Sequence, residues 1–358
     1  MDKKFFMGIA AMAALTLVSC SSDDLNSLSD NSSKNEAISF DGYLGRSAVA
    51  VNGSRGSVLD KTALQNSTEG FGVFGNYNST GGQKFGANLF NNQQVKYKAS
   101  AWTYSPLKFW PTQGHIDFLA YAPYDSKYAD KVSEDNQKLE FTVNSDITAQ
   151  KDLLYANAVG QTKDNISSTG NKVKFQFAHA LSKLGYKVKL SGDYSSNATF
   201  NLTKITLAGS PNGATKAFYT SGKIDLSKTN TALDLWSEYA DEKQNFDWFS
   251  GSSTVTGTDL KHPNDNREEN EDYLFVIPQD FSETGTDNLY VIVEYTITYT
   301  SGVPATVTNR VYKQLKQKFE PGKAYMINLT LGLPIEFDAD VTTWGDDNSI
   351  DCTEPWDR

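Results

Sequence analysis

Cysteine is almost missing from the 358 residues: only Cys20 and Cys352 occur, and histidine is limited to His115, His179 and His262. A cysteine-based zinc site therefore cannot be assembled, and no two histidines stand at metal-ligand spacing. Neither a Gly-x-Ser-x-Gly elbow nor a phosphate-cradling Gly-Lys-Ser/Thr loop is present, so the common nucleophilic and nucleotide chemistries lack their carriers. Positive charge is in deficit, with 33 Lys and Arg against 43 Asp and Glu and a net charge of −10. No basic block exists to displace counterions from a phosphate backbone, which argues against nucleic acid as a partner. The acidic run Asn264 to Asp272 lacks the spaced ligands of a calcium loop and reads as solvated surface. Carboxylates are abundant enough to supply a glycosidase pair, but in an acidic chain most are solvated. The expectation is no catalytic residues, no metal and no cofactor. Long apolar runs and fixed-period repeats are absent as well.

The longest apolar stretch, Phe5 to Val18, follows Lys3 and Lys4 and is too short to span a bilayer permanently. It reads as a signal peptide covering residues 1–19. It ends in Leu17-Val18-Ser19-Cys20, which is similar to the lipobox of bacterial lipoproteins, where a thiol takes up a diacylglycerol before cleavage. Cys20 is thus the expected lipidation site, leaving Cys352 as a lone thiol and excluding an intrachain disulfide. Loss of residues 1–19 removes Asp2, Lys3 and Lys4 and leaves a mature charge of −11. Residues 20–36 are rich in Ser, Asp and Asn with no apolar period, too polar to offset their ordering entropy, and read as a disordered tether. Ser21-Ser22-Asp23-Asp24 resembles the acidic tether of Bacteroidetes surface lipoproteins.

From Ala37 onward, runs of Val, Ile, Thr, Tyr and Phe recur between Gly, Asn, Asp and Ser clusters. Val173 to Phe177, Tyr186 to Leu190, Tyr290 to Ile297 and Tyr325 to Leu331 alternate at period two, the pattern of half-buried strands. Helical patterning is limited to a weak stripe within Thr231 to Gln244. The reading is all-β: two tandem antiparallel β-sandwich domains of Greek-key, transthyretin-like type after the tether. The Gly-, Ser- and Asn-rich stretch Gly160 to Asn171 sets the expected boundary, giving domains at 37–165 and 166–344 and an acidic extension at 345–358. Trp102, Tyr104, Phe109, Trp110, Phe118 and Tyr121 are candidate core residues. Pro111 and Pro123 mark strand ends. His179, between Phe177 and Leu181, reads as structural.

An ordered series of local patterns resembles the fimbrillin family of Bacteroidetes pilus subunits, in its broad Mfa-like group. The series comprises Gly70 to Phe74, Ala101 to Tyr104, Phe109-Trp110-Pro111, Ile116 to Pro123, Asp152 to Ala156, Val173 to Leu184, Gly322 to Leu331, and Ile335 to Val341 with Trp344. The resemblance implies a structural or adhesive subunit of a type V pilus, exported as an outer-membrane lipoprotein to the cell surface. In that family a trypsin-like protease cuts after a basic residue near the end of the first strand, and a neighbouring subunit's strand fills the vacated groove. Repetition head to tail gives an open filament of pilin subunits. Here the first strand spans Ala37 to about Leu44, with Arg46 as the preferred cleavage site and Arg55 as the alternative. Ile335, Phe337, Ala339 and Val341 alternate with acidic residues and form a candidate donor strand, or simply the last strand of their own domain. A lipid-retaining anchor or a tip subunit meeting host or bacterial surface ligands fits the same pattern. The competing reading is a lipoprotein that binds glycans through Trp236, Tyr239, Trp248 and Phe249.

Overall fold

The computed structural model describes residues 36–44, 59–229, 234–262, 273–283, 285–300, 305–332, 339–343 and 349–350. The β-branched and aromatic runs fold as strands. In chain order they are β1 (Phe40–Leu44), β2 (Phe71–Asn78), β3 (Phe90–Lys98), β4 (Ala101–Thr103), β5 (His115–Ala122), β6 (Lys138–Thr142) and β7 (Leu154–Gln161). Next come β8 (Val173–His179), β9 (Ser182–Leu190), β10 (Ala198–Ala208), β11 (Phe218–Tyr219), β12 (Ser221–Asp225), β13 (Trp236–Ser237) and β14 (Lys243–Gln244). The last are β15 (Phe246–Val255), β16 (Leu274–Val276), β17 (Tyr290–Tyr299), β18 (Thr306–Gln314), β19 (Ala324–Leu331), β20 (Ala339–Thr343) and β21 (Ser349–Ile350). The chain is all-β. Its one α-helix among the described residues, α1 (Lys61–Asn66), is capped by Asp60, whose side chain accepts from the Ala63 amide at 2.6 Å. No helix of the described residues is long and apolar enough to cross a membrane. Within the weak stripe at Thr231 to Gln244, which suits a short helix or an irregular insertion, the described residues 234–244 hold only the short strands β13 and β14, with Leu235 and Trp236 buried.

Among the described residues the strands form five sheets: β1-β8-β7-β5-β2-β3-β4, β15-β10-β17-β18, β16-β9-β19-β20-β21, β13-β12-β6, and the pair β11-β14. Pairing is antiparallel except for β1 with β8 and β9 with β19, which run parallel and depart from the all-antiparallel expectation. The seven-stranded sheet is covered on both sides. On β5, Ile116, Phe118, Ala120 and Ala122 enter one apolar cluster with Phe71 and Phe175. The alternate residues Leu119 and Tyr121 enter a second cluster that continues through Tyr186, Leu202, Val293 and Ile327. Every residue of β5 after His115 is therefore buried, which explains its near-continuous apolar sequence.

The expected boundary between residues 165 and 166 does not separate the sheets. β8 lies between β1 and β7 in the seven-stranded sheet, while β6 pairs with β12 from the other half of the chain. The Gly- and Ser-rich stretch is the connection from β7 to β8, and its composition suits a turn between paired strands as well as a linker. Residues from Ala37 onward form one compact unit. Of the expected core aromatics, Trp102, Trp110, Phe118 and Tyr121 are buried, whereas Phe109 is 46% exposed at the rim of the sheet.

Close approach fixes one glycine firmly. A Cβ on Gly72 of β2 would stand 2.4 Å from the Tyr121 ring, and Tyr121 is itself held by hydrogen bonds to Asn92 Oδ1 at 2.7 Å and the Asp125 carbonyl at 2.9 Å. Gly72→Ala is expected to destabilise by about 1–3 kcal/mol through overpacking. Gly81→Ala, where a Cβ meets nothing within 4 Å, serves as the near-neutral comparison. Urea denaturation midpoints of the two variants check the difference.

Candidate functional site

The first strand, β1, stands at one end of the seven-stranded sheet. Along β1 the side chains alternate, with Phe40 and Gly42 inward and Asp41 and Tyr43 toward solvent, and Ile38 just before the strand is also buried. The Phe40 ring lies 5.4 Å from Tyr104, 5.5 Å from Phe90 and 5.6 Å from both Phe118 and Phe175. Gly42 sits in the same crowding, since a Cβ there would come within 3.1 Å of the Phe177 ring. On one side β1 pairs in parallel with β8, from Phe40 opposite Val173 to Leu44 opposite Phe177. On the other, the Ile38 amide donates to the Lys108 carbonyl at 2.8 Å, the Tyr104 hydroxyl donates to the Ile38 carbonyl at 2.8 Å, and Ala37 bridges Phe109.

These contacts bring the β1 and β4 ends of the seven-stranded sheet together around an aromatic interior. Burial of Ile38 and Phe40 contributes roughly 1.5–3 kcal/mol each. Withdrawal of the strand would leave its aromatic contacts and the outer backbone groups of β8 unpaired, an open edge suited to strand addition. Arg46 and Arg55, the two candidate cleavage residues, lie outside the described residues, as does Cys20. The described chain stops at Leu44 and resumes at Leu59, bracketing both arginines.

At the other end of the chain, Ala339 and Val341 lie in β20, which pairs antiparallel with β19 of the same chain, Ala339 opposite Leu329 and Val341 opposite Ile327. Ile335 and Phe337 fall outside the described residues, as do Cys352 and the acidic run Asn264 to Asp272. The four aromatics expected as a glycan surface do not form one. Trp236, Trp248 and Phe249 are 6%, 2% and 8% exposed and belong to the core; only Tyr239 reaches solvent, stacked on Tyr219 at 4.6 Å. Among the described residues no three His, Cys, Asp or Glu side chains group as metal ligands.

One ionic cluster escaped the sequence reading, because His179 and its partner are 27 residues apart. Asp152, 1% exposed, accepts from His179 Nδ1 at 2.7 Å, from the Leu59 amide at 3.1 Å and from the Leu153 amide at 2.8 Å. The carboxylate thus ties the entry to α1 onto the β7 and β8 strand ends. Burial alone would hold the His179 imidazole neutral, but the charge and hydrogen bond of Asp152 outweigh it and raise its pKa, against an opposing push from Lys183. Burial lowers Lys183 to about 7, partly offset by Asp152, and its Nζ stands 3.5 Å from the Tyr273 ring centre. The two groups make opposite contributions to stability. A raised histidine binds its proton more tightly in the native state, so its contribution is complete below the ordinary value of 6.5 and fades as pH rises through the native value. A lowered lysine sheds its proton on folding, so its penalty lessens as pH rises above about 7 toward 10.5. Relative to wild type, His179→Gln is expected to lose stability at pH 6 and to converge on it by pH 9. Lys183→Met is expected to remove the rise above neutrality. Thermal unfolding across that range checks both.

A fimbrillin-like family model matches residues 58–344. The crystal structure of a fimbrial protein from Bacteroides vulgatus ATCC 8482 aligns over 87% of this chain and 100% of its own, with a TM-score of 0.63 at 19% identity, and shows the shared fold. A fimbrial assembly protein from Parabacteroides distasonis ATCC 8503 aligns over 79% of this chain and 89% of its own, with a TM-score of 0.36 at 10% identity. The tip fimbrial protein Mfa3 from Porphyromonas gingivalis, truncated at its C-terminus, covers 81% of this chain and 97% of its own, with a TM-score of 0.37 at 11% identity. No curated protein sequence matches. With four fifths of its length matched in one continuous span, the chain belongs to the fimbrillin-like family.

Proposed function

We propose that the protein is a surface pilus subunit or pilus-associated adhesin that reaches the outer membrane as a lipoprotein anchored through Cys20. A trypsin-like protease then cuts after Arg46, or alternatively after Arg55, and releases β1. A strand from a neighbouring subunit takes its place beside β8, and repetition gives a head-to-tail filament. A subunit that keeps its lipid and its first strand would instead anchor the fibre. The observation that carries this reading is the seating of β1. It is a short strand at the end of its sheet, its apolar residues fill an aromatic groove, and the segment that follows it holds both candidate arginines.

The donor is proposed to be the C-terminal segment with Ile335, Phe337, Ala339 and Val341 at alternate positions. Its pairing with β19 would then have to open on assembly. An exchange of this kind conserves backbone hydrogen bonds and trades one set of inward side chains for another, so it is close to balanced and proceeds when the leaving strand is diluted away.

Limited trypsin digestion of the purified chain tests the proposal. Intact mass is expected to show a new N-terminus at Ser47 or Gly56, followed by oligomer ladders, and Arg46→Ala with Arg55→Ala is expected to abolish both. A trimmed chain that stays monomeric after its first strand has been removed contradicts it. Phe40→Ala, which deletes the central ring and is expected to weaken strand retention by about 3–5 kcal/mol, should speed ladder formation after cutting.

A further inference from the structure

Between the loop after β5 and the start of β7 lies a cleft of about 300 Å³, at the lower end of small-ligand sites. Tyr128 is among its lining residues, with the Lys127 Nζ 4.9 Å from the centre of its ring. That ring is held rigidly: the hydroxyl donates to the Glu140 carbonyl at 2.7 Å, and Tyr121 meets it edge-on at 5.1 Å. Tyr124 and Phe141 line the walls and are only half-buried, although most aromatic rings of this chain are sequestered in the core. Exposed Thr142 and Asn144 bring a hydroxyl and an amide to the same opening.

The lining is also fixed in place before any ligand arrives. Gln150, 4% exposed, accepts from the Phe275 amide at 2.8 Å and donates to the Asn144 carbonyl at 3.0 Å, which holds the polar rim against the body of the protein. Asp125 accepts from the Lys127 amide at 3.0 Å. The charges at the cleft are compensated. Lys127 pairs with Asp125 at 3.2 Å, and Lys151 faces Glu69 at 3.9 Å.

We propose that this cleft binds a neutral pyranose sugar, such as the end of a surface glycan. A pyranose presents C–H groups on its faces and hydroxyls around its edge, which suits half-exposed rings flanked by an amide and a hydroxyl. Compensated lysines and carboxylates leave no unpaired charge to select an acidic sugar or to repel a neutral one. The site differs from the aromatic set of β13 and β15, which is core, and it involves no residue of β1, so it functions with or without assembly.

The test titrates the uncleaved chain with methyl glycosides of glucose, galactose, mannose and N-acetylglucosamine, and with methyl glucuronide as the charged comparator, by ligand-observed NMR. At least one neutral glycoside is expected to bind saturably in the millimolar range. Tyr124→Ala and Asn144→Ala are each expected to weaken it about tenfold, the size of one lost contact. Tyr239→Ala, at an exposed aromatic outside the cleft, should leave binding unchanged. Asn144 is exposed and its Oδ1 accepts only locally, from the Asp146 amide at 2.9 Å, so thermal unfolding of the variant, measured alongside, separates lost recognition from lost structure. Absence of saturable binding by every neutral glycoside overturns the proposal. So does preference for the glucuronide, or binding indifferent to both cleft variants. Because the uncleaved monomer is used, none of these results bears on the filament proposal.

Discussion

The ring of Phe40 touches aromatic rings that the chain delivers from widely separated places: Phe90 on β3, Tyr104 just after β4, Phe118 on β5 and Phe175 on β8. Each such pairing is worth about 0.5–1.5 kcal/mol beyond the area it buries. Together they make the five-residue β1 the piece that closes a seven-stranded sheet. Few backbone bonds secure it, because it pairs with one strand only and meets the far rim through Ile38 and Ala37. The strand is therefore held mainly by side chains that another strand of similar pattern can supply. In strand addition the main-chain hydrogen bonds give affinity and the alternate side chains give register, and a donor of similar pattern would supply both.

Much of the architecture was legible in the sequence. Period-two runs at Val173, Tyr186, Tyr290 and Tyr325 are β8, β9, β17 and β19, and Pro123 stands immediately after β5 as a strand terminator. Pairing was not legible. Alternation says which residues face inward but not which strand lies alongside, so the parallel contacts of β1 with β8 and β9 with β19 had no local signature. The polar stretch Gly160 to Asn171 carried no pairing signal either: such a connection looks alike whether its flanking strands share a sheet, as β7 and β8 do, or part company.

The candidate site was legible in part. Ordered motifs pointed to the first strand, and the structure places Phe40 and Ile38 in the core. Of the aromatics named in the competing glycan reading, Trp236, Trp248 and Phe249 are core and Tyr239 is exposed, a distinction that an irregular stretch does not reveal before tertiary packing is known. Phe109, expected in the core, is exposed. Buried carboxylates were missed as well. Asp117 interrupts the apolar run of β5, is fully buried, and is satisfied by the Gly160 amide at 2.6 Å, the Lys84 amide at 2.8 Å and Asn78 at 2.8 Å. Like Asp152, it pins distant loops to strand ends, and its partners come from sequence positions that no local pattern connects.

The plug-like seating of β1 is most directly tested by the identity of the strand beside Val173 to Phe177 in an assembled fibre. A cryo-electron microscopy reconstruction of fibres grown from the trimmed protein would resolve it. The account predicts that the inward side chains at that place belong to a neighbouring subunit and occupy the volume of Phe40 among Phe90, Tyr104, Phe118 and Phe175. Density that traces residues 37–44 of the same chain in every subunit of the fibre would contradict it.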